Sequence, residues 1–128
     1  PSDYMVDHEM ASKLVRSACF SCGIVNLETP GAEAFEPTPY LYYNDSMEGK
    51  DILGNPQPPT TIVDISSVIE TKEKMLCCHE SEQMKVFGRQ RGGLIGVEFA
   101  EGFRQHLGHA YPQDNLLKAE LGDLVHTK

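Results

Sequence analysis

The sequence predicts an α/β protein, because helical and strand-like patterns alternate along the chain with turn signals between them. The clearest pattern is an amphipathic helix near 8–22, where apolar residues recur at intervals of three and four and Gly23 follows as a stop. Two short segments rich in aromatic or β-branched residues, near 40–44 and 60–64, predict strands. With 128 residues, 40% apolar and 23% charged, the chain is long enough for one domain at most.

The second half of the chain carries two further helical patterns. A capping-box signature at 67–70 opens a helix predicted near 66–87, which we expect to end at Gly88. Another helix is predicted near 93–106, although Gly96 and Gly102, poor helix formers, lie inside it. This order of elements is typical of the later part of a Rossmann-like α/β domain. Because no strand pattern precedes the first helix to cover its apolar side, we expect an exposed apolar surface or pairing with another chain, and hence a homo-oligomer.

The composition argues against two classes of partner. A net charge of −8 and a pI near 5.0 disfavour nucleic acid, because phosphate binding needs clustered basic residues and the densest basic run here is Arg89-Gln90-Arg91. No apolar run approaches the roughly 20 residues of a membrane span, and no signal-peptide pattern opens the chain. We therefore expect a cytoplasmic protein that binds neither nucleic acid nor membrane.

The four cysteines allow two interpretations. Cys19 and Cys22 have the spacing of a redox or zinc motif, but both fall on the apolar stripe of the first predicted helix. Cys77 and Cys78 are adjacent, so on a helix they diverge by about 100° and do not converge on one ion. We interpret all four as core thiols. A zinc module built on Cys19 and Cys22 is the alternative.

An Asp-His pair stands at the start of the first predicted helix. Asp7 is the predicted N-cap, which places His8 on the first turn, where unpaired N–H groups and the positive end of the helix dipole attract ligands. A neutral imidazole on a rigid helix start is a good metal ligand. The alternative is that Asp7 only caps the helix and that His8 is solvated.

Several segments, taken in order, resemble one enzyme family. Residues 5–8, Met-Val-Asp-His, followed by the helix pattern at 11–15, resemble the His-Pro-Asp-His-type motif of the LmbE-like or PIG-L family of zinc-dependent N-acetylglucosaminyl deacetylases. The later matching segments are Val63-Asp64-Ile65-Ser66 with Lys72 and Lys74 behind it, His79-Glu80-Ser81-Glu82, and Ala100-Glu101-Gly102-Phe103. The resemblance covers the C-terminal half of the family's three-layer α/β sandwich, up to about residue 104. We therefore expect 1–128 to be a single partial domain, with a C-terminal tail at 107–128.

The resemblance implies a zinc-dependent hydrolase that removes the N-acetyl group from an N-acetylglucosamine-type substrate. It makes His8 one of the zinc ligands and Asp7 a catalytic carboxylate that orients the site. The side chains that we expect at the substrate are Tyr4, Met5, Glu101 and Arg104.

Two departures from the family bear on the activity. Many relatives have, at the position of Met5, a histidine that protonates the leaving amine or stabilises the oxyanion, and a thioether does neither. The family's His-Pro-Asp-Asp motif, which gives the other two zinc ligands and the general base, is not in this chain, since no histidine is followed by proline. We expect the missing N-terminal half or another chain to supply the remaining zinc ligands. We expect this chain alone to be inactive. The alternative is a non-catalytic fragment or degenerate relative that serves packing, oligomerisation or sugar binding.

The other polar candidates have structural alternatives. We interpret His79 as a core or pocket residue. The histidines expected at the surface are His106, His109 and His126. Glu101 and Arg104 lie one helical step apart in the predicted helix, so an exposed ion pair is an alternative to a substrate contact. Of the tyrosines at 40, 42 and 43, we expect one to line a pocket.

Overall fold

The structure is a computed structural model that describes residues 3–27, 29–76 and 83–128. Over these residues the protein is mixed α/β, with four α-helices and four β-strands. The helices are α1 (Val6–Ser21), α2 (Ile69–Leu76), α3 (Gln83–Gly93) and α4 (Leu116–Leu121). The strands are β1 (Tyr42–Asn44), β2 (Thr61–Asp64), β3 (Ala100–Gln105) and β4 (Val125–Thr127). Within the described ranges no helix has the length and apolar character that crossing a bilayer requires.

The chain divides into two compact units. The first comprises Pro1–Pro58 and Arg104–Leu116, and the second comprises Pro59–Phe103 and Leu117–Lys128. The strands are hydrogen-bonded in the order β1-β3-β2-β4, and β3 passes from the second unit into the first.

The second unit is built on β2, whose two neighbours both run antiparallel to it. Ile62 stands opposite Gly102 of β3 and His126 of β4, and its side chain is 0% exposed. The apolar cluster of this unit contains Val63, Ile65, Phe99 and Val125, with Ile69, Phe103 and Leu117 packed against it. The turn after β2 is held by Ser66, whose hydroxyl lies 3.2 Å from the Phe99 carbonyl and accepts from the Phe99 N–H at 3.1 Å. These bonds satisfy the N–H and carbonyl groups of Phe99 next to the end of the pairing between β2 and β3.

The first unit places α1 beside the segment that follows β3. The Tyr111 hydroxyl donates to the Arg16 carbonyl at 2.7 Å, and the His106 N–H donates to the Leu41 carbonyl at 2.8 Å. No residue of α1 is buried. Val6, Met10 and Leu14, which follow one another at intervals of four, are 73%, 48% and 64% exposed. The expectation of exposed apolar surface on this helix is therefore confirmed.

The local patterns predicted several elements well and others wrongly. The helix predicted near 8–22 and the strands predicted near 40–44 and 60–64 are present as α1, β1 and β2. The helix predicted near 93–106 is wrong, since residues 100–105 form β3. Antiparallel pairing with β2 satisfies the backbone of this segment and overrides its local preference.

Two helix boundaries also differ from the prediction. Asp7 is not the N-cap of α1, because the helix begins at Val6 after an extended Met5. The helix predicted near 66–87 is a 3₁₀ turn at Ser66–Val68, then α2, then α3, which continues past Gly88 to Gly93. Residues 77–82 of that prediction, which include Cys77, Cys78 and His79, lie outside the described residues.

Candidate functional site

A pocket of about 290 Å³ lies in the first unit and brings together polar side chains that are distant in the sequence. Asp3 comes from the segment before α1, Tyr43 from β1, Gln57 from the loop that follows it, and Arg104 and His106 from the end of β3 and the residue after it. The pocket therefore combines a carboxylate, a guanidinium, an imidazole, a phenol and an amide.

A neighbouring pocket of about 370 Å³ shares Asp3 and Ser46 with the first. Tyr4 lines this second pocket together with Lys50 and Asp51. The two pockets thus adjoin at Asp3, which makes this carboxylate the central group of the region. Tyr4, a predicted substrate contact, lies in it and is 67% exposed.

Asp3 holds the imidazole ring of His8. Its Oδ2 lies 3.0 Å from the Nδ1 of His8, and its Oδ1 accepts the Met5 N–H at 3.1 Å. The extended conformation of Met5, with φ −94° and ψ 121°, turns the chain immediately before α1, so that residue 3 reaches the first turn of the helix. Met5 thus contributes its backbone N–H to the site.

The hydrogen bond between these two side chains shifts both pKa values in the direction of an ion pair. It lowers the pKa of Asp3 and raises the pKa of His8. An ionised carboxylate only accepts hydrogen bonds, so Nδ1 of His8 is the protonated nitrogen. In the neutral ring the lone pair is then on Nε2. A histidine oriented in this way by a carboxylate is the usual form of a metal-ligating histidine.

The residues present fit zinc as one ligand with its orienting carboxylate. Among the residues that the structure describes, no group of three or more His, Cys, Asp or Glu side chains comes together to hold a metal ion. A catalytic zinc usually takes three protein ligands. His8 and its orienting carboxylate are therefore too few to form a zinc site by themselves among the described residues.

The predicted site residues have different surroundings. Asp7 is exposed on the first turn of α1, whereas the carboxylate bonded to the imidazole of His8 is that of Asp3. Glu101 and Arg104 lie three positions apart on β3, so their side chains point to opposite faces, and the ion pair that helical spacing offered as an alternative is not formed. Glu101 instead forms an ion pair with Lys72 of α2.

Arg104 is positioned by a chain of hydrogen bonds. Its Nη1 donates to Oε1 of Gln57, and Nε2 of Gln57 lies 3.5 Å from Oδ2 of Asp51. The N–H groups of Leu53 and Asn55 each donate to Oδ1 of Asp51 at 2.9 Å. These bonds lower the pKa of Asp51, with the side-chain amide of Asn55 as the largest cause. The guanidinium is thus fixed at the pocket wall.

His106 is half-buried at the pocket, although the sequence predicted a surface position. Its Nδ1 lies 3.1 Å from the Tyr43 hydroxyl, and its ring meets the ring of Tyr111 edge-on, with centroids 4.2 Å apart. Gly108 lies against the other side of the ring, where an added Cβ would stand 2.6 Å from Nε2. Burial lowers the pKa of His106, and the charge of Arg16 adds to this effect. The neutral ring of His106 is thus a hydrogen-bond partner for the hydroxyl of Tyr43, which lines the pocket.

The histidines at 109 and 126 are exposed, as predicted. Cys19 and Cys22 are half-buried thiols, so their interpretation as core residues is wrong. The Sγ of Cys22, the residue after α1, donates to the Cys19 carbonyl at 3.1 Å, which is a local contact at the end of the helix.

Sequence reasoning missed Asp3, Gln57 and His106. Asp3 had a local signal, because an aspartate before a helix start commonly accepts the N–H two residues on. Gln57 and His106 had none, since contacts between distant segments bring them to the pocket. Comparisons with protein-family models, with curated proteins and with solved structures find no match to this chain.

Proposed function

We propose that this chain is part of a zinc-dependent hydrolase that cleaves an amide C–N bond. The observation that carries the proposal is the 3.0 Å contact between Nδ1 of His8 and Asp3, a carboxylate that lines the pocket. This contact directs the Nε2 lone pair of His8 away from the carboxylate. Carboxylate–histidine–metal arrangements of this kind fix the tautomer and the ring and raise the basicity of the ligand. His8 is the proposed ligand, and Asp3 is its orienting partner.

Within this class, we propose an N-deacetylase of an N-acetylglucosamine-type substrate, similar to the LmbE-like or PIG-L family. The order of the resembling segments supports this, as does a pocket lined by the hydroxyl of Tyr43, the amide of Gln57 and the guanidinium of Arg104. Such groups hydrogen-bond the hydroxyl and amide groups of a sugar. Asp7 remains a predicted catalytic carboxylate on the first turn of α1.

Each part of the site has a stated role in the proposed reaction. Zinc, when bound, polarises the amide carbonyl and lowers the pKa of the attacking water. His8 holds the metal, Asp3 fixes the ring of His8, and Arg104 and Tyr43 hold the substrate. The general base and two further ligands come from the His-Pro-Asp-Asp segment that the family resemblance implies. The protein that would contain both this chain and that segment is called the full-length protein.

The proposed domain is the later part of a Rossmann-like, three-layer α/β sandwich in a cytoplasmic homo-oligomer. The mixed α/β content supports an α/β domain. The antiparallel pairing of β2 with both β3 and β4 differs from the parallel strands of a Rossmann-like sheet, so the finer proposal rests on the family resemblance alone. The exposed apolar residues of α1 support the proposed pairing with another chain.

Exchange of the two candidate carboxylates for amides identifies the one that orients His8. Because Asp3 makes the hydrogen bond to the imidazole, we expect Asp3→Asn in the full-length protein to weaken zinc binding by about 10- to 100-fold. Asp7→Asn is the matched control for zinc affinity and is expected to change it little. Competition with a chromogenic chelator measures both. A larger loss of zinc affinity in Asp7→Asn than in Asp3→Asn would assign the orienting role to Asp7.

A second substitution tests the position where relatives have histidine. Met5 directly precedes α1, and its thioether cannot donate a proton. We expect Met5→His to raise the rate of acetate release by about 10²-fold or more if proton transfer limits the reaction, since general acid catalysis contributes that much. Met5→Gln is a control of similar size with no titratable group. An unchanged rate in Met5→His would show that another group already donates the proton.

The proposed function as a whole is tested by release of acetate from N-acetylglucosamine conjugates by the full-length protein with zinc supplied. Zinc-dependent release is expected. The second candidate, a sugar-binding protein without activity, is favoured by the thioether at Met5 and by a single described imidazole at the proposed metal position. Binding of the conjugates without any acetate release, at saturating zinc, would replace the first proposal by the second.

A further inference from the structure

Two free thiols, Cys19 and Cys22, lie together at the end of α1. Both are half-buried, and residues three positions apart are neighbours on one face of a helix. Both also act on the same phenol, because burial raises the pKa of Tyr111 and the neighbouring Cys19 and Cys22 raise it further. The 3.1 Å contact of the Cys22 Sγ with the Cys19 carbonyl turns this sulfur back toward its partner. The thiols therefore lie on one side of the helix end.

A second pocket wall gives one of these thiols access to small molecules. A pocket of about 330 Å³ lies beside the end of α1, between Ala18 and the segment 27–35. Among the described residues that line this pocket, Cys22 is the one that carries a thiol. A small disulfide that enters the pocket therefore meets Cys22 before it meets Cys19.

The position at the end of the helix allows the pair to close into a disulfide. Cα atoms three residues apart in a helix are about 5 Å from each other, within the range of about 4.4–6.8 Å that disulfides span. The Cβ atoms are about 5–6 Å apart, whereas a disulfide needs about 3.5–4.5 Å, so the backbone must change. Cys22 follows the last residue of α1 and is held in helical conformation by the 2.9 Å hydrogen bond from its N–H to the Ala18 carbonyl. Opening of this terminal bond lets the Cβ atoms approach.

We propose that Cys19 and Cys22 form a reversible disulfide, with a low-molecular-weight disulfide such as glutathione disulfide as the oxidant, and that its formation unwinds the last turn of α1. The Cys22 thiolate attacks one sulfur of glutathione disulfide, whose S–S bond breaks, and one glutathione leaves as its thiolate. The Cys19 thiolate then attacks the Cys22 sulfur of the mixed disulfide and displaces the second glutathione. The two cysteine protons pass to the two glutathione thiolates, and the pair transfers two electrons to glutathione disulfide.

This disulfide links the redox state of the pair to the chain on both sides of Cys22. In the reduced protein the Cys22 carbonyl accepts the Phe35 N–H at 2.8 Å, so Cys22 also holds the segment that lines the pocket. Transient disulfides of this kind in cytosolic proteins commonly sense oxidants. The step involves neither zinc nor a sugar, so it stands or falls independently of the proposed function.

Peptide mapping tests the disulfide in the protein that contains this chain. Trypsin leaves Cys19 and Cys22 together in peptide 17–50, which contains no other cysteine. After equilibration with excess glutathione disulfide and alkylation of the remaining thiols, we expect this peptide without alkyl groups and lighter by two hydrogen atoms than its reduced form. Reduced glutathione should restore both thiols. A peptide that stays doubly alkylated, or that keeps a bound glutathione and goes no further, would overturn the proposal.

Substitutions assign the two thiols. Cys19→Ser removes the thiol that resolves the mixed disulfide, so peptide 17–50 should retain glutathione at Cys22. Cys22→Ser should take up glutathione several-fold more slowly, because Cys19 is then the attacking thiol. Equal uptake in the two variants would contradict the role of Cys22. The control combines Cys77→Ser with Cys78→Ser and should leave the disulfide intact. Its loss there would mean that oxidation passes through those cysteines and not directly to Cys22.

Hydrogen exchange tests whether the disulfide changes the helix end. The Cys22 amide should exchange several-fold faster in the oxidised protein, because its bond to the Ala18 carbonyl has opened. The amide of Ile62, at the centre of β2, is the control and should exchange at the same rate in both forms. Unchanged exchange at Cys22 in fully oxidised protein would overturn the proposed unwinding.

Discussion

Replacement of His8 by alanine in the full-length protein is expected to remove zinc and to lower acetate release by several orders of magnitude. His8 supplies the imidazole that Asp3 orients, and without it the proposed site loses a direct ligand. The effect should exceed the roughly 100-fold that loss of an outer hydrogen-bond partner costs, because the metal both polarises the carbonyl and activates the water. Metal content by mass spectrometry and initial rates of acetate release measure the two consequences.

The control for this substitution is His109→Ala, which removes an exposed histidine that lines neither pocket. It should retain full zinc content and rate. Stoichiometric zinc that persists in folded His8→Ala protein would place the metal elsewhere, and full activity in that variant would remove His8 from the reaction altogether.

Ile62→Ala is expected to have the largest effect on stability, with a loss of about 2–5 kcal/mol in the free energy of unfolding. Ile62 is 0% exposed and sits on β2, between Gly102 of β3 and His126 of β4. Removal of its buried methyl and methylene groups costs both their transfer free energy and the cavity that remains. Urea denaturation followed by circular dichroism gives the change.

Ile52→Ala is the matched control, because it makes the same chemical change at a residue that is 59% exposed. Its cost should stay within about 0.5 kcal/mol, as is usual for surface substitutions. Equal losses in the two variants would mean that β2 is not the centre of the folded structure.

The fold was predictable where a segment carries a strong local pattern. The apolar spacing of α1 and the aromatic and β-branched runs of β1 and β2 gave the right elements. The sequence of β3 contains alanine, glutamate, arginine and glutamine, which favour helices, and it forms a strand because β2 provides its hydrogen-bond partners. The propensities of the residues in one segment do not show which distant segment it will pair with, so this strand was missed.

The candidate site was predictable to a similar extent. A motif at a helix start predicted His8 as a metal ligand, and the structure places it against Asp3. Arg104, a predicted substrate contact, lies at the pocket wall. Asp3 was missed because its contact with His8 depends on the extended backbone of Met5. His106 was missed because its N–H bond to the Leu41 carbonyl, which brings it to the pocket, joins segments far apart in the sequence.

The most direct test of the central claim is anomalous diffraction, recorded on both sides of the zinc absorption edge, from crystals of the full-length protein. The proposal predicts one zinc peak about 2.0–2.1 Å from Nε2 of His8, with Asp3 bonded to Nδ1 on the other side of the ring. A fully occupied zinc site whose ligands do not include His8, in protein that releases acetate, would contradict it.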